Sequence, residues 1–294
     1  MKLFDFHCHI FPKKIAGKAA KRFEDWKRGE LMRQKVFDFH CHIFPEKIAP
    51  KAVANIGAFY HLEMTKKGTV DDLVTLYQEY GIDNMLVHST ATREQQVEHI
   101  NDFIIEEVRK HKELIGFGTM HPDYKNKEQE FQRILECGLK GLKIHPDFQE
   151  VNIDDKRMYP IYEMVGDKVP ILFHVGDKVK DFSHPRRLLK VMNDFPKLRP
   201  VAAHMGGYSV WDEALELFKG RQVWFDTCSS FAFLTNQKIE KIMKTHGVEK
   251  ILFASDYPMW DAKKEYERLL TLDLTQSQLE DILYNNGMRL LSLI

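Results

Sequence analysis

The sequence lacks the features that would place it outside a cell or in a membrane. Its four cysteines, Cys8, Cys41, Cys137 and Cys228, are scattered without a C-x-x-C pair, which argues against a disulfide framework and for reduced thiols in a cytoplasmic protein. No apolar run reaches the roughly 18 residues that a membrane span requires, and His7 and His9 interrupt the apolar stretch near the N-terminus, so no signal peptide is expected. An excess of one charge is missing too: Lys+Arg and Asp+Glu both number 43. That balance gives no basic field for nucleic acid or an anionic membrane and leaves a small molecule as the expected partner. No Gly-rich dinucleotide fingerprint follows any predicted strand. Nothing fixes an oligomeric state, and a homo-oligomer is compatible with the sequence.

What is present begins with a repeat. FDFHCHIFPKKIA at Phe4–Ala16 recurs as FDFHCHIFPEKIA at Phe37–Ala49, with the single change Lys13 to Glu46. Two copies do not make a solenoid, so this reads as a partial duplication of one strand and its loop. Residues 1–35 are expected to form an appendage and residues 36–294 the folded domain. The leader carries ten Lys/Arg against four Asp/Glu, and its strand would fit the first slot equally well by side chain. The second copy is assigned to the domain because using the first would strand the apolar residues of Val36–Pro45 in an insertion with nowhere to bury them.

From Val36 onward, short β-rich runs alternate with amphipathic stretches, the pattern of parallel strands joined by crossover helices. Eight strands are predicted: residues 36–42, 84–89, 114–120, 142–145, 171–175, 201–204, 223–226 and 251–256. Between them lie helical stretches such as Arg93–His111, where Val97, Ile100, Ile104 and Val108 recur at helical spacing. Eight such units over about 250 residues indicate an α/β fold, a single (β/α)8 TIM barrel. The segment Thr275–Leu293 reads as extra helix on the outside, burying Leu279, Ile282, Leu283, Leu290 and Leu291.

Active sites of such barrels lie at the C-terminal strand ends. Seven of the twelve histidines beyond the leader fall there: His40, His42, His88, His121, His145, His174 and His204, joined by Asp226 and Asp256. Residues two apart on a strand share a face, so His40 and His42 are expected to point inward and Phe39 and Cys41 toward the helices. Two inward imidazoles make a clamp for a divalent metal, with zinc the expected ion. His174 and the Asp256 carboxylate can converge on the same point. Asp226, His88 and His121 are expected to orient these groups by hydrogen bonds.

The series D-x-H-x-H at Asp38–His42, GLKIHP at Gly141–Pro146, ILFHVGD at Ile171–Asp177, AHMGG at Ala203–Gly207 and FASDYPMW at Phe253–Trp260 resembles the amidohydrolase-2 branch of the amidohydrolase superfamily. The resemblance spans residues 36–294. It implies one divalent metal on His40, His42, His174 and Asp256, with His204 assisting the chemistry. In some superfamily relatives a fourth-strand lysine is carboxylated and bridges two metals; Lys143 stands at that place, although the branch resembled here is mainly mononuclear. Lys143, His145, His184 and Trp260 are the expected substrate contacts.

The reaction expected from this set is hydrolysis of a small amide, lactone or ester by metal-activated water, with Asp256 as base and His204 polarising or holding the substrate. The alternative within the same branch is non-oxidative decarboxylation of an aromatic or enoic carboxylate. An inert barrel serving as a binding protein is the reading from another class, and it gives no reason to keep all four ligands together with His204.

Overall fold

The computed structural model describes residues 34–294. The first copy of the repeat lies outside the described residues, while the second forms β1 (Phe37–His42). Next come β2 (Asn84–His88), β3 (Leu114–Gly116), β4 (Gly118–Thr119), β5 (Leu142–Ile144), β6 (Pro170–Phe173), β7 (Arg199–Ala202), β8 (Trp224–Asp226) and β9 (Ile251–Leu252). All pair in parallel and in chain order, β1 to β3 in one ladder and β4 to β9 in another. The two ladders meet at Phe117, whose N–H donates to Val87 O, while the next N–H, of Gly118, donates to Gly141 O. β3 and β4 are therefore two halves of one barrel strand, and the eight expected strands are all present, most of them shorter than the apolar runs that announced them. No continuous ladder closes β9 onto β1. That seam is held by backbone hydrogen bonds from Phe39 N to Phe253 O (2.9 Å), Asp256 N to His40 O (3.0 Å) and His42 N to Tyr257 O (2.7 Å). The buried Asp38 carboxylate adds a side-chain clasp, accepting from Ser255 N at 3.0 Å.

Two apolar layers follow from the strand pleat. The outer one lies between strands and helices, where Val97, Ile104 and Ile105 of helix Val97–Lys110 are buried. The inner one draws Phe37, Phe39, Leu86, Phe117, Leu172, Val201 and Ala254 from strands all round the ring, so it fills the barrel. Two expectations change here. Phe39 belongs to this interior, 6.0 Å from the Phe117 ring, whereas Cys41 lies in the outer layer. The ladder of β1 with β2 shifts register between Asp38 and Cys41, and such an irregularity resets the alternation on which the sequence reading relied. The C-terminal segment also does more than coat the outside. Leu290 and Leu291 join the interior cluster, and Gly287 lies so close to β1 that a Cβ there would stand 2.7 Å from the Phe37 ring.

Candidate metal centre and active site

β1 delivers His40 and His42 side by side. Their Nε2 atoms are 3.2 Å apart, and each lies 3.4 Å from Asp256 Oδ1. Asp256 reaches this point from the turn after β9 with φ 64°, and His204, after β7, has φ 61°. Left-handed backbone at non-glycine residues costs energy and gathers at functional sites. Asp256 divides its oxygens: Oδ2 accepts from Ser229 Oγ, which in turn accepts from Trp260 Nε1 at 2.8 Å, while Oδ1 faces the imidazoles.

His40 is oriented from behind. Its Nδ1 donates to Asp226 Oδ2 at 2.8 Å, which fixes the proton on Nδ1 and leaves the Nε2 lone pair toward His42 and Asp256. Burial holds the His40 imidazole well below its ordinary pKa, and the neighbouring Lys143 adds to this. Burial and the adjacent His174 bring His204 down to about 3, so both rings are neutral donors at physiological pH. Lys143 is fully buried with Nζ 3.0 Å from His40 Nε2, and burial brings its ammonium down to about 8 against the pull of Asp256.

The donor set fits a divalent ion. Ligands about 2.0–2.1 Å from a tetrahedral metal are about 3.3–3.4 Å from one another, and the two imidazoles and carboxylate form a triangle with edges of 3.2, 3.4 and 3.4 Å. His88 is a further buried donor grouped with His40 and His42, and neither of its ring nitrogens has a hydrogen-bond partner. His174 is placed differently from the ligand expected. Its Nδ1 lies 2.8 Å from His204 Nε2, and it groups with His145 and Asp147 instead. Asp147 Oδ2 is 3.2 Å from His174 Nε2, without the alignment of a hydrogen bond.

All six residues His40, His42, His145, His174, His204 and Asp256 line one chamber of about 20 Å³, room for a single water or ion. Its wall is aromatic: the His145 ring stacks between Phe148 (centroids 3.8 Å apart) and His174 (4.0 Å), and Tyr60 Oη lies 3.3 Å from His145 Nε2. A groove of about 400 Å³ shares His42, Ile56 and Phe148 with the chamber.

Other expected contacts lie elsewhere. His184 caps helix Pro185–Asp194, accepting from Arg186 N, with Nε2 3.4 Å from Glu213. Trp260 stands behind Asp256 through Ser229 and not in the chamber wall. His121 accepts from Asp123 N, away from the chamber. The sequence reading missed Tyr60, Phe148, Asp147 and Ser229. Only Asp147 and Phe148 carried a signal, following the GLKIHP motif directly.

Known structures share this architecture. An uncharacterised TIM-barrel protein from Bordetella bronchiseptica superposes with a TM-score of 0.72 at 18% identity, over 88% of this chain and 98% of that one. A dihydroxybenzoic acid decarboxylase from Polaromonas sp. JS666, holding manganese and the inhibitor 2-nitroresorcinol, gives 0.67 at 17% identity, over 89% and 98%. The 5-carboxyvanillate decarboxylase of Sphingomonas paucimobilis gives 0.67 at 14% identity, over 88% and 99%. At these identities the likeness shows the fold. No curated protein matches the sequence. Among the described residues no helix is long and apolar enough to cross a membrane. The family profile for amidohydrolases matches residues 4–293, nearly the whole chain, and the chain belongs to that family.

Proposed function

We propose that the protein is a divalent-metal-dependent, non-oxidative decarboxylase of aromatic carboxylates. The observation that carries this reading is the stack of flat rings, Phe148, His145 and His174, on the wall of the chamber that contains His40, His42 and Asp256. A planar ring can lie in the adjoining groove at the Phe148 end of this stack, with its carboxylate reaching toward the donor triangle past His42. The decarboxylases of similar fold support it, one of them holding manganese. Two imidazoles and a carboxylate suit either zinc or manganese. His174, which shares the chamber, completes the ligand set in this proposal, its Nδ1 giving up the hydrogen bond to His204 Nε2 when the ion binds.

When bound, the cation supplies Lewis-acid polarisation and neutralises charge on the substrate. The reaction breaks the bond between ring carbon and carboxylate, releases carbon dioxide and requires one proton at the ring carbon. Asp256 is the group placed to carry that proton. Burial pushes the Asp256 carboxyl up, but the imidazoles of His40, His42 and His204 outweigh it and hold the group well below the ordinary carboxylate range; a substrate carboxylate beside it penalises double ionisation and shifts it back toward the protonated form. With Oδ1 facing the donor triangle, Oδ2 beside Ser229 Oγ is the oxygen left to carry the proton. His204 is held by its own N–H on Asp226 Oδ1 (2.7 Å) and orients the substrate beside His174.

Hydrolysis is the second reading, favoured by the size of the chamber: a space for one water beside Asp256 suits a carboxylate acting as base. Mass balance separates the two. Incubating metal-loaded protein with a panel of hydroxybenzoates, aryl amides and lactones should release carbon dioxide from a benzoate. Gain of one water by an amide or lactone, with no carbon dioxide from any benzoate, would favour hydrolysis instead.

A further inference from the structure

The chamber holds no more than the reacting group of a substrate, so the rest of the molecule must occupy the adjoining groove. With a volume of about 400 Å³, that groove lies in the size range of small-molecule sites. Its walls are apolar and aromatic, with Phe44, Ile56, Phe59 and Phe148, and His42 joins it to the donor triangle. Phe59 meets Phe148 edge to face at 4.9 Å, which continues the ring wall outward from the His145 stack.

Three charged side chains face the groove. Asp147 is buried, and its Oδ2 is engaged by Ser183 Oγ at 2.6 Å and lies beside His174. Glu150 stands exposed at the rim. Lys180, on the loop after β6, holds its ammonium 4.4 Å from the centre of the Phe59 ring. Among the described residues no carboxylate pairs with it, even though two acids line the same groove. An ammonium placed over a ring is attracted to its face and keeps its donors free for an anion.

We infer that the groove is a second-anion subsite, and that Lys180 selects aromatic acids bearing another carboxylate on the arm away from the donor triangle. This rests on the aromatic-acid reading above and deepens it from aromatic acids to aromatic diacids. The carboxylate to be lost lies in the chamber, the ring lies along Phe148 and Phe59, and the distal carboxylate meets the Lys180 ammonium.

Calorimetry on the metal-loaded full chain tests this with matched pairs: 3-(carboxymethyl)benzoate against 3-ethylbenzoate, and 3-(2-carboxyethyl)benzoate against 3-propylbenzoate. A charge-assisted contact at a half-buried site should favour the diacid about tenfold. Lys180→Gln should bring that ratio close to one and Lys180→Arg should keep it, with metal content measured on each protein as the control for folding. A wild-type ratio near one, or a preference that survives in Lys180→Gln, overturns the assignment. Binding is read apart from reaction, so a diacid preferred through Lys180 that loses no carbon dioxide would refute the decarboxylase reading and leave this subsite standing.

Discussion

Replacing Asp226 by Asn tests how the centre is prepared for a metal. The Asp226 carboxylate is fully buried and accepts on both sides, from His40 Nδ1 at 2.8 Å on Oδ2, and from His204 N at 2.7 Å and Cys228 Sγ at 3.0 Å on Oδ1. An asparagine has the same shape and only one acceptor oxygen. If its oxygen faces His204 N–H, its amide protons face His40 Nδ1, and the His40 proton moves to Nε2, the atom that should bind metal. If the oxygen faces His40, the buried His204 N–H loses its acceptor, which costs about 1–3 kcal/mol. Loss of such an orienting carboxylate typically weakens metal binding about 10–100-fold, equivalent to about 1.4–2.8 kcal/mol. Competition with a chromophoric chelator measures the affinity, and urea denaturation of the metal-free protein measures the stability. Affinity within about threefold of wild type together with unchanged stability would refute the reasoning.

Other perturbations probe the scaffold. Burial raises Glu265 to about 8, and its Oε2 has no hydrogen-bond partner. Between the ordinary carboxylate range and that value the unfolded chain ionises while the folded one keeps its proton. This contribution is therefore fully present at low pH and is lost as pH rises through about 8, on the order of 5 kcal/mol in all. Urea midpoints from about pH 5 to 8 should fall less steeply in Glu265→Gln than in wild type, and equal slopes would contradict the account. Leu290, buried in the barrel interior from the C-terminal segment, should cost about 2–5 kcal/mol on truncation to Ala. A loss below about 1 kcal/mol would mean that the segment coats the barrel without filling it.

Much of this architecture could be read from the sequence because it rests on short-range periodicity. The apolar spacing through Val97 and Ile104 marks a helix that is found at Val97–Lys110, and of the seven strand-end histidines six gather at one mouth while His121 stands apart. The reading of Phe39 failed for a physical reason: period-2 alternation assumes an unbroken ladder, and nothing in FDFHCH announces the register shift between Asp38 and Cys41. His184 and Trp260 lie on loops, whose direction no periodicity specifies. Tyr60 and Phe148 reach the chamber from the end of one helix and from a four-residue helix after β5. Only the packing of distant elements brings them there, so the aromatic wall, which points toward an aromatic substrate, could not be seen in advance. The same holds for Ser229, whose role exists only through Asp256 and Trp260.

The most direct test of the central proposal is the metal content of the purified full chain, measured by elemental analysis after loading with zinc or manganese and exhaustive dialysis. Wild type should retain a single divalent ion per chain, and the double variant His40→Ala with His42→Ala should retain almost none. The matching change in the first copy, His7→Ala with His9→Ala, should leave the content at the wild-type level. Retention of the ion by the His40/His42 variant, or its loss from the His7/His9 variant alone, would contradict a metal centre built on β1.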